Sequence, residues 1–207
     1  MSESIFVTGM HRLTGKPVHV ENVERGNLAG ASCYSCGGIL ISKKGRVNAW
    51  HFAHKSKNDC SGESNLHKYA KYILAEKRAL CVRNYPKPLK PSRHEFNYAI
   101  IEHPVDKFRI DCLLCDEKTP PLAVEIKVTH PTSEDKIAMF RRKKLAAIEI
   151  DLSGLSRLSS VKEIQREVCA NHNNTSWLYN AKHEEHNKKR IQEYYQEFGW
   201  RHTRPWA

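Results

Sequence analysis

The sequence predicts a mixed α/β fold: a core in the order helix, three strands, helix, strand around a mixed sheet, preceded by a small metal-stabilised β-hairpin module. Three observations predict it. Leu66, Tyr69, Ala70, Ile73 and Leu74 recur at helical spacing. Three β-rich stretches follow, Phe96 to Ile101, Phe108 to Cys115 and Leu122 to Thr129, with turn residues between them. Residues 30 to 62 are rich in Gly, Ser, Cys and His and poor in large aliphatics, so that stretch needs a metal or a cross-link to fold.

In chain order, residues 5 to 23 alternate weakly, and the Thr14-Gly15-Lys16-Pro17 turn divides Phe6-Val7-Thr8 from Val18-His19-Val20, which reads as a hairpin. Ser64 is placed to cap the first helix, which is expected to end by Asn84, before Pro86. A Pro-Lys-Pro-Leu-Lys-Pro connector leads into the three strands. Thr132-Ser133-Glu134-Asp135 opens a second helix carrying Ile137, Met139, Phe140 and Leu145, and Ala146 to Leu152 returns to a strand that ends in Asp-Leu-Ser-Gly. Two further helices are expected, over residues 158 to 170 and, highly charged, over 182 to 198. The expected division is a zinc-binding module with its hairpin at 1–62, the α/β core at 63–155 and a helical extension at 156–207.

Lys and Arg outnumber Asp and Glu by 34 to 23 among 207 residues, a formal charge of +11 that favours a polyanionic partner, with nucleic acid the first candidate. No apolar run is long enough for a transmembrane helix, and Met1-Ser2-Glu3-Ser4 does not open a signal peptide, so a cytoplasmic protein without a membrane partner is expected. Seven cysteines, two of them in a C-x2-C pair, point to metal binding in a reducing compartment rather than to a disulfide framework. Cys81, Cys112, Cys115 and Cys169 lie in apolar segments and read as small buried hydrophobes.

Cys33-Tyr34-Ser35-Cys36-Gly37-Gly38, then Trp50-His51-Phe52-Ala53-His54, then Cys60 supply five soft ligands, of which zinc needs four. A C-x2-C turn lets two thiolates reach one ion, and the glycines permit the tight backbone this requires. Cys33 and Cys36 rank first, then His54, then Cys60 and His51. On an extended segment residues three apart point to opposite faces, which leaves one of His51 and His54 open to a structural or DNA-facing role instead. A closed four-ligand site leaves no position for water, so the zinc is expected to be structural.

Asp111 sits within the otherwise apolar Phe108-Arg109-Ile110-Asp111-Cys112-Leu113-Leu114, where an uncompensated charge costs several kcal/mol. In Leu122-Ala123-Val124-Glu125-Ile126-Lys127-Val128, strand alternation puts Glu125 and Lys127 on one face. Pairing of the two strands would bring Asp111 against Glu125, and two such carboxylates repel unless a cation lies between them. Magnesium or manganese held there, with help from the Ile126 carbonyl, would polarise a phosphodiester and lower the pKa of a bound water. Lys127 would orient that water or neutralise charge developing on the phosphate.

The order α-β-β-β-α-β, with Asp111 on the second strand and Glu125-Ile126-Lys127 on the third, resembles the PD-(D/E)xK or restriction-endonuclease-like nucleases. That resemblance implies a glutamate presented by the first helix, for which Glu63 is the match. Glu63-Ser64-Asn65-Leu66-His67-Lys68-Tyr69-Ala70-Lys71, taken with the upstream C-x2-C and His-Phe-Ala-His, is similar to the competence protein CoiA-like family over roughly residues 30 to 155. The family joins a zinc-finger-like N-terminus to a nuclease domain, and the likeness implies DNA processing. Its members tend to carry Gln where this chain has Lys127, which makes the present motif the more orthodox one. His67 and Lys71, one helical turn apart and off the apolar stripe, are placed to meet the phosphate or metal from the side.

Lys136, Arg141, Arg142 and Lys143 on the second helix, with Lys188-Lys189-Arg190 near the end, are candidates to track a phosphate backbone. The aromatics of the last thirty or so residues, Trp177, Tyr179 and Trp200 among them, read as packing groups or base-stacking platforms. The expectation is thus a magnesium- or manganese-dependent deoxyribonuclease with structural zinc. A non-catalytic zinc-containing DNA-binding protein and an RNA-directed nuclease are the alternatives, and a homodimer would suit double-strand cleavage.

Overall fold

A computed structural model describes residues 5–56, 60, 63–83 and 91–198, without the side chains of residues 63, 64 and 194–198. The N-terminal part is a five-stranded antiparallel sheet in the order β2-β1-β3-β4-β5. Its strands are β1 (Thr8–His11), β2 (Pro17–His19), β3 (Gly26–Ser32), β4 (Ile39–Lys43) and β5 (His51–His54). The expected hairpin is there, with Thr8 opposite His19, but it is one edge of a larger sheet. Small residues make this possible. A Cβ on Gly9 would lie 2.7 Å from Leu40 Cδ1 and 3.2 Å from the Ser32 carbonyl, so only glycine lets β1 lie this close to its neighbours.

Helix α1 (Glu63–Lys77) follows, and it ends about two turns short of the Asn84 limit. Arg78 adopts the left-handed conformation, φ +50°, and its N–H bonds the Leu74 carbonyl. The chain then enters the hairpin of β6 (Ala79–Arg83) and β7 (Pro91–Glu95). No glycine or proline marks that stop in the sequence, which is why Ala79–Arg83 reads as more helix.

The second five-stranded sheet has the order β12-β11-β10-β9-β8. It is built from β8 (Tyr98–Val105), β9 (Phe108–Cys115), β10 (Leu122–Lys127), β11 (Ala147–Asp151) and β12 (Thr175–Tyr179). The β10–β11 pair is parallel and the others antiparallel, so the sheet is mixed as expected. Helix α2 (Glu134–Lys143) makes the crossover that parallel pairing requires, with Ser133 as its N-cap. The chain beyond residue 155 differs from a purely helical extension. Helix α3 (Val161–Cys169) opens on a Ser160/Glu163 capping box, β12 supplies the fifth strand of the sheet, and α4 (Ala181–Phe198) comes last.

Apolar packing divides at the second sheet. On one face Cys112, Leu114, Val124, Ile126 and Ile148 join Ile73 and Leu74 of α1, Ile164 and Val168 of α3, and Phe6, Leu40 and Phe52 of the first sheet in one core. On the other, Ile110, Leu113, Ala123 and Ala147 pack with Met139 and Phe140 of α2. The N-terminal module therefore shares its core with α1 rather than standing apart. The His19 ring, hydrogen-bonded at 2.9 Å to the Ser159 carbonyl, ties it to the start of α3 as well. Phe140 is fully buried between α2 and the sheet. Phe140→Ala is expected to lower the unfolding free energy by about 3–5 kcal/mol in urea titration, and a loss below about 1 kcal/mol would contradict this packing.

Candidate metal centre and carboxylate site

Cys33 follows the last residue of β3, Cys36 lies in the turn to β4, His54 ends β5, and Cys60 comes from the loop before α1. Their ligand atoms all lie within 4.8 Å of one another, and this is the one such His/Cys/Asp/Glu group among the described residues. Cys33 Sγ is 3.5 Å from Cys60 Sγ, and Cys36 Sγ is 3.3 Å from His54 Nε2. A tetrahedral zinc with bonds of about 2.0–2.3 Å has ligand-to-ligand edges of about 3.3–3.8 Å, so the donor set fits a zinc-like ion. The turn that presents the two thiols closes through Gly37 N–H to the Cys33 carbonyl and Cys33 N–H to the Gly38 carbonyl, with Gly37 at φ +70°. Burial pushes the Cys33 thiol up, but the Cys36 backbone N–H, the Asn65 amide, His54 and Cys60 outweigh it and bring its pKa down to about 6, which favours the thiolate a metal needs. His51, the fifth candidate, lies outside the cluster and bonds the Ala49 carbonyl at 2.8 Å. None of the seven cysteines is in a disulfide, and Cys112, Cys115 and Cys169 are buried as expected, while Cys81 is half-buried.

Asn65 is a site residue that the sequence reading passed over. It is fully buried in the first turn of α1, accepts the Tyr34 N–H at 2.6 Å and donates to Cys33 Sγ at 3.3 Å. The start of the helix is thereby fastened to the cysteine turn. The cue was its place in the Glu63-to-Lys71 run, but a buried asparagine cannot be told from a solvated one without the fold.

Two residues further along α1, His67 Nε2 stands 2.9 Å from Asp111 Oδ2, and Lys71 Nζ is 3.1 Å from Asp111 Oδ1. The Ile126 N–H of β10 donates to Asp111 Oδ2 at 2.9 Å. Burial alone would raise the Asp111 pKa, but His67, Lys71 and the Ile126 N–H hold it well below the usual carboxylate range. Lys71, expected to be available to nucleic acid, is instead 2% exposed, because it is shared between Asp111 and Glu102 Oε1 at 2.5 Å. Glu102, also bonded by Lys68 at 2.7 Å, is a second residue missed from sequence. It faces Asp111 where the β8–β9 ladder skips a pair, and it has φ +56°. Alternation breaks at the same point of β9, since Ile110 packs toward α2 while Cys112 packs toward α1.

Glu125 is 5% exposed and held from the other face of the sheet by Lys136 of α2, which also donates to the Arg109 carbonyl. Burial first, and then the Asp111 charge, push its pKa up to about 7 against the pull of Lys136 and the Asp111 N–H. Glu125 Oε1 is buried without a hydrogen-bond partner among the described residues. Lys127 does not turn to the carboxylate pair: it donates to Asp151 Oδ2 at 2.6 Å, directly across the parallel register, and with Ser153 brings the Asp151 pKa down to about 2 despite partial burial. The Glu63 and Ser64 side chains lie outside the described residues, as do Trp200 and the rest of the C-terminus.

Two acceptors remain open here. Glu125 Oε1 is an orphaned buried acceptor, and Asp111 Oδ1, with one donor, retains a lone pair. Of the basic residues on α2, Lys136 belongs to the carboxylate site, Arg141 lies 3.6 Å from Glu184, and Arg142 and Lys143 meet Asp106 at 2.7 and 3.0 Å. Those three exposed pairs contribute little to stability.

Two outcomes are expected. Purified, reduced protein carries a stoichiometric equivalent of zinc by elemental analysis, and His54→Ala and Cys60→Ala lose it whereas His51→Ala keeps it; zinc retained in Cys60→Ala would contradict the four-ligand set. For Glu125, the raised folded pKa means that the native state binds more protons than the unfolded chain between pH 4.5 and about 7, so wild-type stability falls as pH rises through that window. The stability of Glu125→Gln relative to wild type, measured without added divalent ion, therefore rises by about 1–3 kcal/mol from pH 5 to pH 8. A flat difference would show that Glu125 is not a strained carboxylate.

Residues 27–63, which hold the whole cysteine-histidine cluster, match the family model of the N-terminal domain of the competence protein CoiA. No curated protein and no solved structure matches the chain. The comparisons thus identify residues 27–63 as similar to that CoiA domain, around a Cys3His group suited to a zinc-like ion.

Proposed function

We propose that this protein is a magnesium- or manganese-dependent nuclease that hydrolyses phosphodiester bonds in DNA, with a structural zinc in its N-terminal sheet. The observation that carries the reading is the buried Glu125 with an orphaned oxygen beside the ionised Asp111 on the next strand. Two carboxylates at one point of a dry sheet repel each other, and a divalent cation removes both the repulsion and the orphaned acceptor. In a PD-(D/E)xK site that cation polarises the scissile phosphate.

This chain's own residues would do the rest. Asp111, fixed by His67, Lys71 and the Ile126 N–H, offers a ligand whose position is set from three elements. Lys136 and Lys71 neutralise the carboxylates until the cation enters. Lys127, released from Asp151, is the side chain of the motif able to neutralise charge on the phosphate.

A second reading has its own observation. The oxygens of Asp111 are already bonded by His67, Lys71 and Ile126, and Lys127 is paired, so the same network would serve a non-catalytic DNA-binding protein as a structural brace.

The two readings separate in one assay with single-stranded, duplex and branched DNA and structured RNA, with magnesium or manganese added. Divalent-dependent cleavage of DNA is expected, reduced about 10²-fold or more in Glu125→Ala and in Lys127→Ala, with zinc content and circular dichroism unchanged. Cleavage that survives both substitutions, or DNA binding without any cleavage, would overturn the catalytic assignment.

A further inference from the structure

We propose that the groove at the tip of the β4–β5 hairpin holds the phosphate backbone of DNA, as a contact surface that shares no residue with the carboxylate site. The proposal rests on the reading above for DNA as the partner, and on the groove's own charge for the place. Residues 44–50 form the hairpin loop, since Lys43 pairs with His51 at one end of the two strands and Leu40 with His54 at the other. The loop and the Cys3His group therefore lie at opposite ends of the hairpin. Gly26 pairs with Ser42, which brings Arg25 and Lys43 to the same end of β3 and β4. Arg25, Lys43, Lys44, Arg46 and His51 line the groove, and no carboxylate does.

Positive charge is concentrated here and left uncancelled. Arg25, Lys43 and Arg46 are exposed and have no acidic partner among the described residues, whereas Arg141, Arg142 and Lys143 each meet one. Like charges gathered at one end of a sheet repel each other, and an anion bound among them removes that cost. Lys44 is pinned in place. Its Nζ donates to the Val23 carbonyl at 2.5 Å and to the Glu21 carbonyl at 3.2 Å, and it lies 4.7 Å from the centroid of the Trp50 ring, whose Nε1 donates to the Gly45 carbonyl at 3.1 Å. Neutral carbonyls hold the ammonium without cancelling its charge, so the loop is pre-organised with its potential intact. His51, which the metal cluster leaves out, lines this groove with its Nδ1 spent on the Ala49 carbonyl. The groove measures about 580 Å³, many times the roughly 30 Å³ of one water, which gives room for a run of backbone and not only for one small anion. A loop that entered a lipid surface would lead with several apolar side chains. Here Val47 stands between Arg46 and Asn48, and Trp50 is tied back to Gly45.

The test measures binding of a DNA duplex by fluorescence anisotropy over a series of salt concentrations, on the zinc-loaded full chain without added magnesium. Arg25→Ala, Lys43→Ala and Arg46→Ala are each expected to weaken binding about three- to tenfold and to make the slope of log K against log salt shallower by about 1, as the loss of one phosphate contact does. Lys118→Ala, which removes an exposed cation elsewhere, is expected to change affinity by less than about twofold and to leave the slope as it is. Zinc content and thermal melting check that each variant folds. No duplex binding by the wild type, unchanged binding in the three groove variants, or an equal loss in Lys118→Ala overturns the proposal. So does a loss confined to vesicles of phosphatidylserine and phosphatidylcholine, measured alongside, with duplex binding intact. Cleavage with magnesium is scored separately. Groove-dependent binding without cleavage by the wild type removes the nuclease reading alone, and cleavage with groove-independent binding removes this proposal alone.

Discussion

A carboxylate set in the middle of an apolar strand must be compensated, and the way Asp111 is compensated governs how the elements around it are joined. Its two oxygens take hydrogen bonds from His67 and Lys71 of α1 and from the Ile126 N–H of β10, and Lys71 in turn reaches Glu102 of β8. An isolated buried charge would cost several kcal/mol, so removing any one donor is felt by the others. Helix, edge strand and central strand are therefore registered by a polar interaction as well as by the core beneath it. The β9 alternation breaks at Asp111, and Glu102 takes a left-handed backbone opposite it; both are what bringing the carboxylate over to α1 requires.

The same sheet holds its second carboxylate the other way. Glu125 is reached by Lys136 from α2, on the opposite layer, so the two acids are close enough to perturb each other while their cationic partners come from different sides. Asp111, Glu102 and Glu125 face Lys68, Lys71 and Lys136. Of the two lysines bonded to the buried pair, Lys136, 14% exposed, is less enclosed than Lys71 at 3%.

Much of this was legible in the residues, for physical reasons that differ by element. The α1 stripe, the β9 and β10 runs and the Ser133 cap carry their signals locally, in periodicity and in side chains that bond the nearest backbone. The end of α1 was hidden because Arg78 makes a left-handed turn usually given to glycine. Strand β12 was hidden because Thr175–Tyr179 is short and becomes a strand only by pairing with β11. At the site, alternation relates Glu125 to Lys127 correctly along one strand, but whether a long lysine meets Glu125 or Asp151 depends on which strand lies alongside and in what register. Glu102 was invisible for the same reason: its role exists only across a sheet edge.

Asn65 joins the two halves of the molecule into one argument. Its side chain spends its acceptor on the Tyr34 N–H and a donor on the Cys33 sulfur, so the first turn of α1 is fixed against the turn that presents two of the four metal ligands. His67 and Lys71 lie two and six residues further along that helix, too few turns for a displacement at its start to be lost before it reaches Asp111. A four-ligand ion held there would do no chemistry of its own, yet by setting the cysteine turn it would set Asn65, and through Asn65 the position from which α1 compensates the buried carboxylate. The zinc-like site and the carboxylate site are thus separate in chemistry and coupled in geometry, and the run from Glu63 to Lys71 is the segment in which the coupling is written.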